Sequence, residues 1–421
     1  MIKKIIEHRV FKNAVALMII QMTQYVVPFL TLALLTRRLG VDSYSLLAFV
    51  MAIIQFANVV TDYGFYLSAT EKLSRNRSWK NLVNHLLGSV IICKIFLYLV
   101  VSCVIIGFAF LNDQFESHKN IIILAIAPVL ANTFLPTWFF QGMEKMKSIM
   151  WVAIASKASI VLTLLLVVQD PGDVGLVLWV NAIFNLTASL IAYFLIYKMG
   201  YYPAFSLKYI RYTAQYGFEY FVARISAASY TTSNGILLGL FVSIQAVGIY
   251  TIASQFYVGL HSIFVPIYHA IYPYMARERK SIFLFKVLCL VCGLLVFALP
   301  AAYFSFPYIL DAITTPEFSG AIDIFNIMLC ILLVNIISSF IGYPFFVAIG
   351  KNHIANYSIW VGATWHIVVL FILVKLEMIT TINVTFVTLS SEAVIFIIRV
   401  IFVMKYYNIQ KNFSNKIVNK K

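Results

Sequence analysis

Charge is what this sequence has least of. Only 11% of its 421 residues are Asp, Glu, Lys or Arg, while 62% are hydrophobic. A soluble chain carries about 25% charged residues, so a water-facing surface cannot be built from this composition. The mean hydropathy of +0.90 places most of the chain in lipid. Acid is scarcer still, with 16 Asp and Glu against 31 Lys and Arg and a net charge of +15. In a soluble protein that excess would raise nucleic acid as a partner. Here the positive residues sit in short loops between apolar runs, and no nucleic-acid partner is expected. No Walker-type glycine loop with its lysine occurs, so nothing points to a nucleotide as energy source. The five cysteines all fall within apolar runs, and Cys289-x-x-Cys292 lacks the further ligands a zinc would need. Neither a metal nor a cofactor is expected. The basic start MIKKIIEHRVFKN leads into an apolar run too long for a signal-peptide core, with no small-residue cleavage site behind it. It reads as a retained first span.

Long apolar runs are what the chain has in abundance. Twelve are long enough to cross a bilayer, which takes about 20 helical residues. They cover residues 13–36, 45–67, 85–110, 120–140, 148–168, 175–197, 212–242, 248–274, 285–309, 322–349, 356–374 and 382–404. Each is expected to be a helix, because an open strand cannot satisfy its backbone in lipid. The fold expected is an all-α polytopic membrane protein of 12 transmembrane helices. With the N-terminus cytoplasmic, the cytoplasmic segments hold 23 Lys or Arg and the opposite side four, Arg37, Arg38, Lys119 and Lys375. That positive-inside bias places both termini in the cytoplasm. Arg37 and Arg38 run against it and read as interfacial, snorkelling residues.

The halves look related. Pro136-Thr-Trp-Phe-Phe-Gln-Gly142 ends the fourth run and Pro344-Phe-Phe-Val-Ala-Ile-Gly350 the tenth, at an offset of 208 that also carries Gly40 onto Gly248. Two pseudo-symmetric six-helix lobes follow, residues 1–200 and 201–421, joined through the polar stretch 198–211. Such folds hold substrate between the lobes.

Four cations, Lys94, Lys157, Arg224 and Arg399, fall inside spans, against three acids, Asp62, Glu219 and Glu392. An ionisable group at that depth costs on the order of 3 kcal/mol or more unless it meets water, a partner or a ligand. In the seventh run Tyr212, Tyr216, Tyr220 and Arg224 recur every four residues, so they form one line on a helix. The tyrosines read as an interfacial belt or as a sugar-facing stripe leading to Arg224. Glu219 lies about 140° around the helix from Arg224 and cannot pair with it directly. Lys94 and Lys157 are too deep to snorkel easily and are expected to line a water-filled cavity. Arg399 is near enough to its helix end to snorkel. Glu392, two turns before it, is expected to meet a basic residue of another helix. Asp62 orders the turn at Gly64 or acts at a cytoplasmic gate. Lys72, Arg75, Arg77 and Lys80 report orientation or attract anionic headgroups. His261, His269 and His366 lack metal-ligand spacing and read as helix-interior hydrogen-bonding residues.

Four stretches carry a resemblance: Leu34-Leu-Thr-Arg-Arg-Leu-Gly40 with Tyr44, Thr61-Asp-Tyr-Gly-Phe-Tyr-Leu-Ser-Ala-Thr70, Trp138-Phe-Phe-Gln-Gly-Met-Glu-Lys145 and Gly248-Ile-Tyr-Thr-Ile-Ala253. They resemble the bacterial O-antigen flippases of Wzx type, polysaccharide exporters of the multidrug/oligosaccharidyl-lipid/polysaccharide superfamily. The resemblance implies a bacterial inner-membrane protein, not an enzyme, that serves O-antigen and lipopolysaccharide biosynthesis. It implies that undecaprenyl-diphosphate-linked oligosaccharide moves from the cytoplasmic to the periplasmic leaflet by alternating access. Arg224, Lys157 and Lys94, with Tyr216 and Tyr220, would then bind the diphosphate and sugars. Glu219, Glu392 and Asp62 would serve coupling to H+ or Na+, or gating. Membrane lipids and other polysaccharide assembly proteins are the further partners. A multidrug exporter of the same fold is the first alternative, weakened by the lack of any acid in residues 13–36. A membrane-embedded polymerase or glycosyltransferase is the second, weakened by short predicted periplasmic loops with scattered acids.

Overall fold

The computed structural model describes residues 9–278, 281–351 and 353–418. Among them there is no strand, and sixteen α-helices follow one another. They are α1 (Arg9–Asp62), α2 (Phe65–Arg75), α3 (Lys80–Leu111), α4 (Lys119–Leu124), α5 (Ile126–Thr133), α6 (Thr137–Gly142), α7 (Met146–Val167) and α8 (Val174–Lys198). After them come α9 (Leu207–Thr231), α10 (Ser233–Phe241), α11 (Ile244–Glu278), α12 (Ser281–Ile313), α13 (Ala321–Ile341), α14 (Tyr343–Ala348), α15 (His353–Lys375) and α16 (Thr381–Val418). The chain is thus an all-α polytopic membrane protein. Among the described residues, nine helical stretches are long and apolar enough to cross a membrane. Two of the expected spans share one of them, because α1 runs through both and only breaks its helical geometry at Gly40, with φ 70° and ψ −179°. The stretches 212–242 and 248–274 are helical but not among the nine, since tyrosine, serine, glutamine and histidine recur along them.

Two compact units result, Met1–Ala228 and Ser229–Lys421. The first 22 residues of α9 therefore belong with the helices before them. In this first unit α2 is amphipathic: Phe65, Ala69 and Leu73 recur every four residues and are buried, while Lys72 and Arg75 close its last turn, where the helix dipole favours cations. Phe65, Ala69 and Leu73 join Trp138, Phe139 and Phe140 in one apolar cluster. The chain reaches α2 through a sharp break, Tyr63 at φ 48° and Gly64 at φ 70°. Gly64 is required there twice over. Its φ is left-handed, and a Cβ would come within 2.6 Å of Tyr220 Cβ and 2.9 Å of the Phe221 nitrogen. Tyr63 stacks on Phe221 at 4.7 Å, so the break seats α9.

The stretch 198–211, expected to join the lobes, is held by Asn84 of α3, which accepts from the Tyr202 and Ala204 amides, through Oδ1 at 3.1 Å and its carbonyl at 2.9 Å. Arg38 does not merely snorkel. Its Nη1 donates to the Leu165 and Val168 carbonyls, at 2.8 and 2.5 Å, groups a helix C-terminus leaves without partners.

In the second unit α14 repeats α6 in a register the Pro-to-Gly spacing misses. The Glu144 amide donates to Gln141 at 3.0 Å and the Lys145 amide to Phe140 at 2.8 Å, and Gly350 to Val347 and Lys351 to Phe346 do the same at 3.1 and 2.8 Å. Phe139–Phe140 and Phe345–Phe346 are matching edge-on pairs, at 5.8 and 5.6 Å. Glu144 and Gly350 are the matching left-handed residues, at φ 54° and 70°. The structural offset is 206, not 208, because the prolines and glycines occupy different points of the same turn.

Candidate functional site

The four-residue line on α9 is real and defines the first cluster. The Tyr212 and Tyr216 rings stack at 6.3 Å and those of Tyr216 and Tyr220 lie 5.8 Å apart. They meet α2. Glu71 Oε2 accepts from the hydroxyls of Tyr216 at 3.1 Å and Tyr220 at 2.5 Å, and its Oε1 pairs with Arg75 at 2.6 Å. The Lys72 ammonium stands 3.5 Å over the Tyr212 ring, a cation–π contact. Glu71 is the functional candidate that sequence reasoning passed over. One signal was available: it is the sole acid between Asp62 and Asp113, set among four basic residues.

One turn beyond Tyr220 the line reaches Arg224. Its side chain is 39% exposed and meets Asp62 only at 3.9 Å, the Asp62 side chain being 20% exposed. No hydrogen bond joins the guanidinium to another described residue, so its planar donors are open to a ligand. An arginine so placed can hold an oxyanion through two parallel hydrogen bonds. Lys94 is turned inward instead. It is 5% exposed, and its Nζ donates to the Thr133 carbonyl at 2.7 Å; Thr133 in turn donates to Thr61 at 3.0 Å. Lys157 of α7 is half-buried and lies 3.4 Å from Asn185 Oδ1 of α8. The structure brings Tyr216 and Tyr220 together on Glu71 and Arg224 beside Asp62, and no hydrogen bond or ion pair joins Lys157 to any of them. Glu219 is exposed on α9, with no ion pair to a described residue.

The second unit encloses its polar groups. Arg399 does not snorkel. It is 6% exposed, with Nε donating to Ser358 Oγ at 3.0 Å and Nη1 to the carbonyl and hydroxyl of Ser338 at 2.9 and 3.0 Å. Groups from α13 and α15 thus replace the water the side chain would otherwise seek. Glu392 is 5% exposed and lies within hydrogen-bonding reach of Asn335. It meets this amide rather than the basic partner expected. His366 is wholly buried, with Nε2 3.1 Å from Asn234 Oδ1 and Nδ1 3.1 Å from Ser391 Oγ. Asn234 also donates to Tyr250 and Thr388, each at 3.0 Å. His261 reaches Asn335, while the His269 side chain lies outside the described residues. Glu392 and Arg399 line a cavity of about 250 Å³.

Residues 10–279 match the family described as polysaccharide biosynthesis protein. A protein of Escherichia coli (strain K12), provisionally named an O-antigen transporter, is 27% identical over 264 residues, 62% of this chain and 64% of that relative. The match thus spans less than two thirds of that protein's length. A protein of the same name from Shigella dysenteriae is 24% identical over 271 residues, 63% of this chain and 67% of its own. Among solved structures, the lipid II flippase MurJ in an inward closed conformation superposes with a TM-score of 0.73 at 16% identity, over 91% of this chain and 87% of MurJ. An inward-facing multidrug resistance MATE family transporter of the MOP superfamily gives 0.70 at 11% identity, over 93% of this chain and 99% of its own. At such identities the likeness bears on the fold alone, which is that of the MOP transporters.

Proposed function

Because this chain belongs to the polysaccharide biosynthesis protein family, we propose that it is a flippase for lipid-linked oligosaccharide, moving an undecaprenyl-diphosphate-linked repeat unit across the bacterial inner membrane. The observation that carries this reading is Arg224: a guanidinium within a helix, with one loose ion pair and no hydrogen bond to another described residue, at the end of a tyrosine line. A diphosphate supplies the oxygen acceptors that arginine lacks, and the tyrosine rings supply flat faces for the sugars. Lys94 and Lys157 keep the surrounding helices basic, the former from the interior. The lipid tail stays outside in the bilayer. Exchange between leaflets is by alternating access of two six-helix lobes, residues 1–200 and 201–421, with both termini cytoplasmic. Coupling to H+ or Na+ falls to Glu392 or Glu219, the two carboxylates inside the expected spans that form no ion pair with a described residue, whereas Asp62 answers Arg224 and gates.

The test is a strain deleted for the gene and complemented with variants at equal protein level. Arg224→Ala is expected to lower surface polysaccharide by about a hundredfold, the loss of some 2–3 kcal/mol for a charge-assisted pair, with lipid-linked repeat units accumulating inside. Arg224→Lys should keep part of the activity. Normal surface polysaccharide from Arg224→Ala would overturn the reading. The multidrug exporter is the second reading, favoured by a fold that matches 99% of a MATE transporter. The basic character of the Arg224 cluster speaks against cationic drugs, and unchanged drug tolerance in the deletion strain would remove it.

A further inference from the structure

The second unit holds a cavity of which the proposed function uses Glu392 alone. It is lined by Tyr230 from the end of α9, His261 and Tyr268 of α11, Asn335 of α13, and Glu392 and Arg399 of α16, with apolar side chains between them. Glu392 and Arg399 are both nine-tenths buried or more, yet they form no ion pair. Seven residues apart on one helix, they stand about 10 Å from each other along its axis. A bundle that needed only packing would gain by replacing both with apolar residues. Each has neutral partners instead. Arg399 commits Nε and Nη1 to Ser358 and Ser338, which leaves Nη2 for the cavity. Glu392 has Asn335, which leaves carboxylate lone pairs.

This lining discriminates among occupants. A lone cation is repelled by Arg399, a lone anion by Glu392, and a hydrocarbon leaves both charges unmatched. A sugar ring satisfies all of it. Its hydroxyls both donate and accept, so they suit a carboxylate, an amide and a guanidinium set along one wall. Its apolar C–H face fits against the tyrosine rings. The cavity, at about 250 Å³, lies below the roughly 300–1,000 Å³ of drug-sized pockets, which suits one ring and not a chain.

We propose that the Tyr230–Tyr268–Asn335–Glu392–Arg399 cavity is a binding site for a single uncharged sugar ring, a hexose or N-acetylhexosamine. It rests on the flippase reading in one respect only, that the ring belongs to the exported unit; there it selects which repeat unit passes.

The experiment uses the full chain, purified into lipid nanodiscs, and saturation-transfer NMR with free methyl hexosides, methyl N-acetylhexosaminides and, as the rival ligand, phosphoethanolamine. One or more sugars should give a saturable signal. Asn335→Ala and Tyr268→Ala should each weaken it roughly fivefold, the worth of one hydrogen bond or ring contact. Tyr268→Phe, which removes one oxygen from an otherwise intact site, guards against misfolding of the alanine variant and should retain the ring contact. A saturable sugar signal together with unchanged surface polysaccharide in the deletion strain keeps the cavity and removes the flippase. No saturable sugar signal, a signal indifferent to Asn335→Ala and Tyr268→Ala, or phosphoethanolamine binding in place of sugar would each overturn the proposal.

Discussion

Two clusters, one in each unit, meet the cost of ions in lipid in opposite ways. Around α9 in the first unit, Glu71, Arg75, Asp62 and Arg224 remain partly open and answer charge with charge, at 2.6 Å for Glu71–Arg75 and 3.9 Å for Asp62–Arg224. In the second, Glu392, Arg399 and His366 are enclosed and answered by neutral groups, Asn335, Ser338, Ser358, Asn234 and Ser391. An open charge cluster can exchange a partner for a ligand at little cost, because water covers the transition. A closed one cannot lose a partner without stranding a polar group. The first cluster can exchange partners, and the second holds a fixed geometry.

Substitutions at matched places would break or sharpen that contrast. The largest effect is expected at Gly64, where a left-handed φ and an approach of 2.6 Å to Tyr220 leave no room for a side chain. Gly64→Val should cost about 3 kcal/mol or more and remove the monodisperse peak in size-exclusion chromatography. An unchanged peak and thermal midpoint would show that α9 is not seated by this break. Next is Asn234→Leu, which strands His366, Tyr250 and Thr388 at once. A loss of about 2–3 kcal/mol is expected, read as a lower thermal inactivation midpoint in detergent. Glu71→Leu is its counterpart in the open cluster and should cost only about 1 kcal/mol, since the Tyr216 and Tyr220 hydroxyls can turn to water. Equal losses at Asn234 and Glu71 would erase the distinction between closed and open. The smallest effect, about 0.5–1 kcal/mol, is expected for Arg38→Ala, which uncovers two carbonyls at the end of α7 where water can reach them. A loss as large as that of Asn234→Leu would mean the helix end is sealed.

What the sequence made legible follows from periodicity. Apolar run length located the helices, and the four-residue spacing placed Tyr212, Tyr216, Tyr220 and Arg224 on one line that the structure keeps. The partners were illegible. Glu71 meets tyrosines 145 and 149 residues away, and Arg399 is held by Ser338 and Ser358, 61 and 41 residues away. Such pairings depend on which helices become neighbours, and no local pattern encodes that. The same limit explains Arg38, whose acceptors are backbone carbonyls of α7 and carry no residue identity to read. It explains Lys94 as well: depth in a helix was countable, but the Thr133 carbonyl that receives its ammonium was not.

The offset of 206 between α6 and α14 has a consequence for how such a chain can be recombined. If the halves descend from one ancestral unit, its hydrogen-bond register has outlasted its punctuation: the left-handed turn persists with glutamate in one copy and glycine in the other. Aligning the copies by proline and glycine displaces them by two residues, which turns a helix by about 200°. Every lipid-facing position would then be equated with an interior one. A hybrid grafting one half's short helix onto the other should therefore keep its packing when spliced at 206 and present its core to the bilayer when spliced at 208.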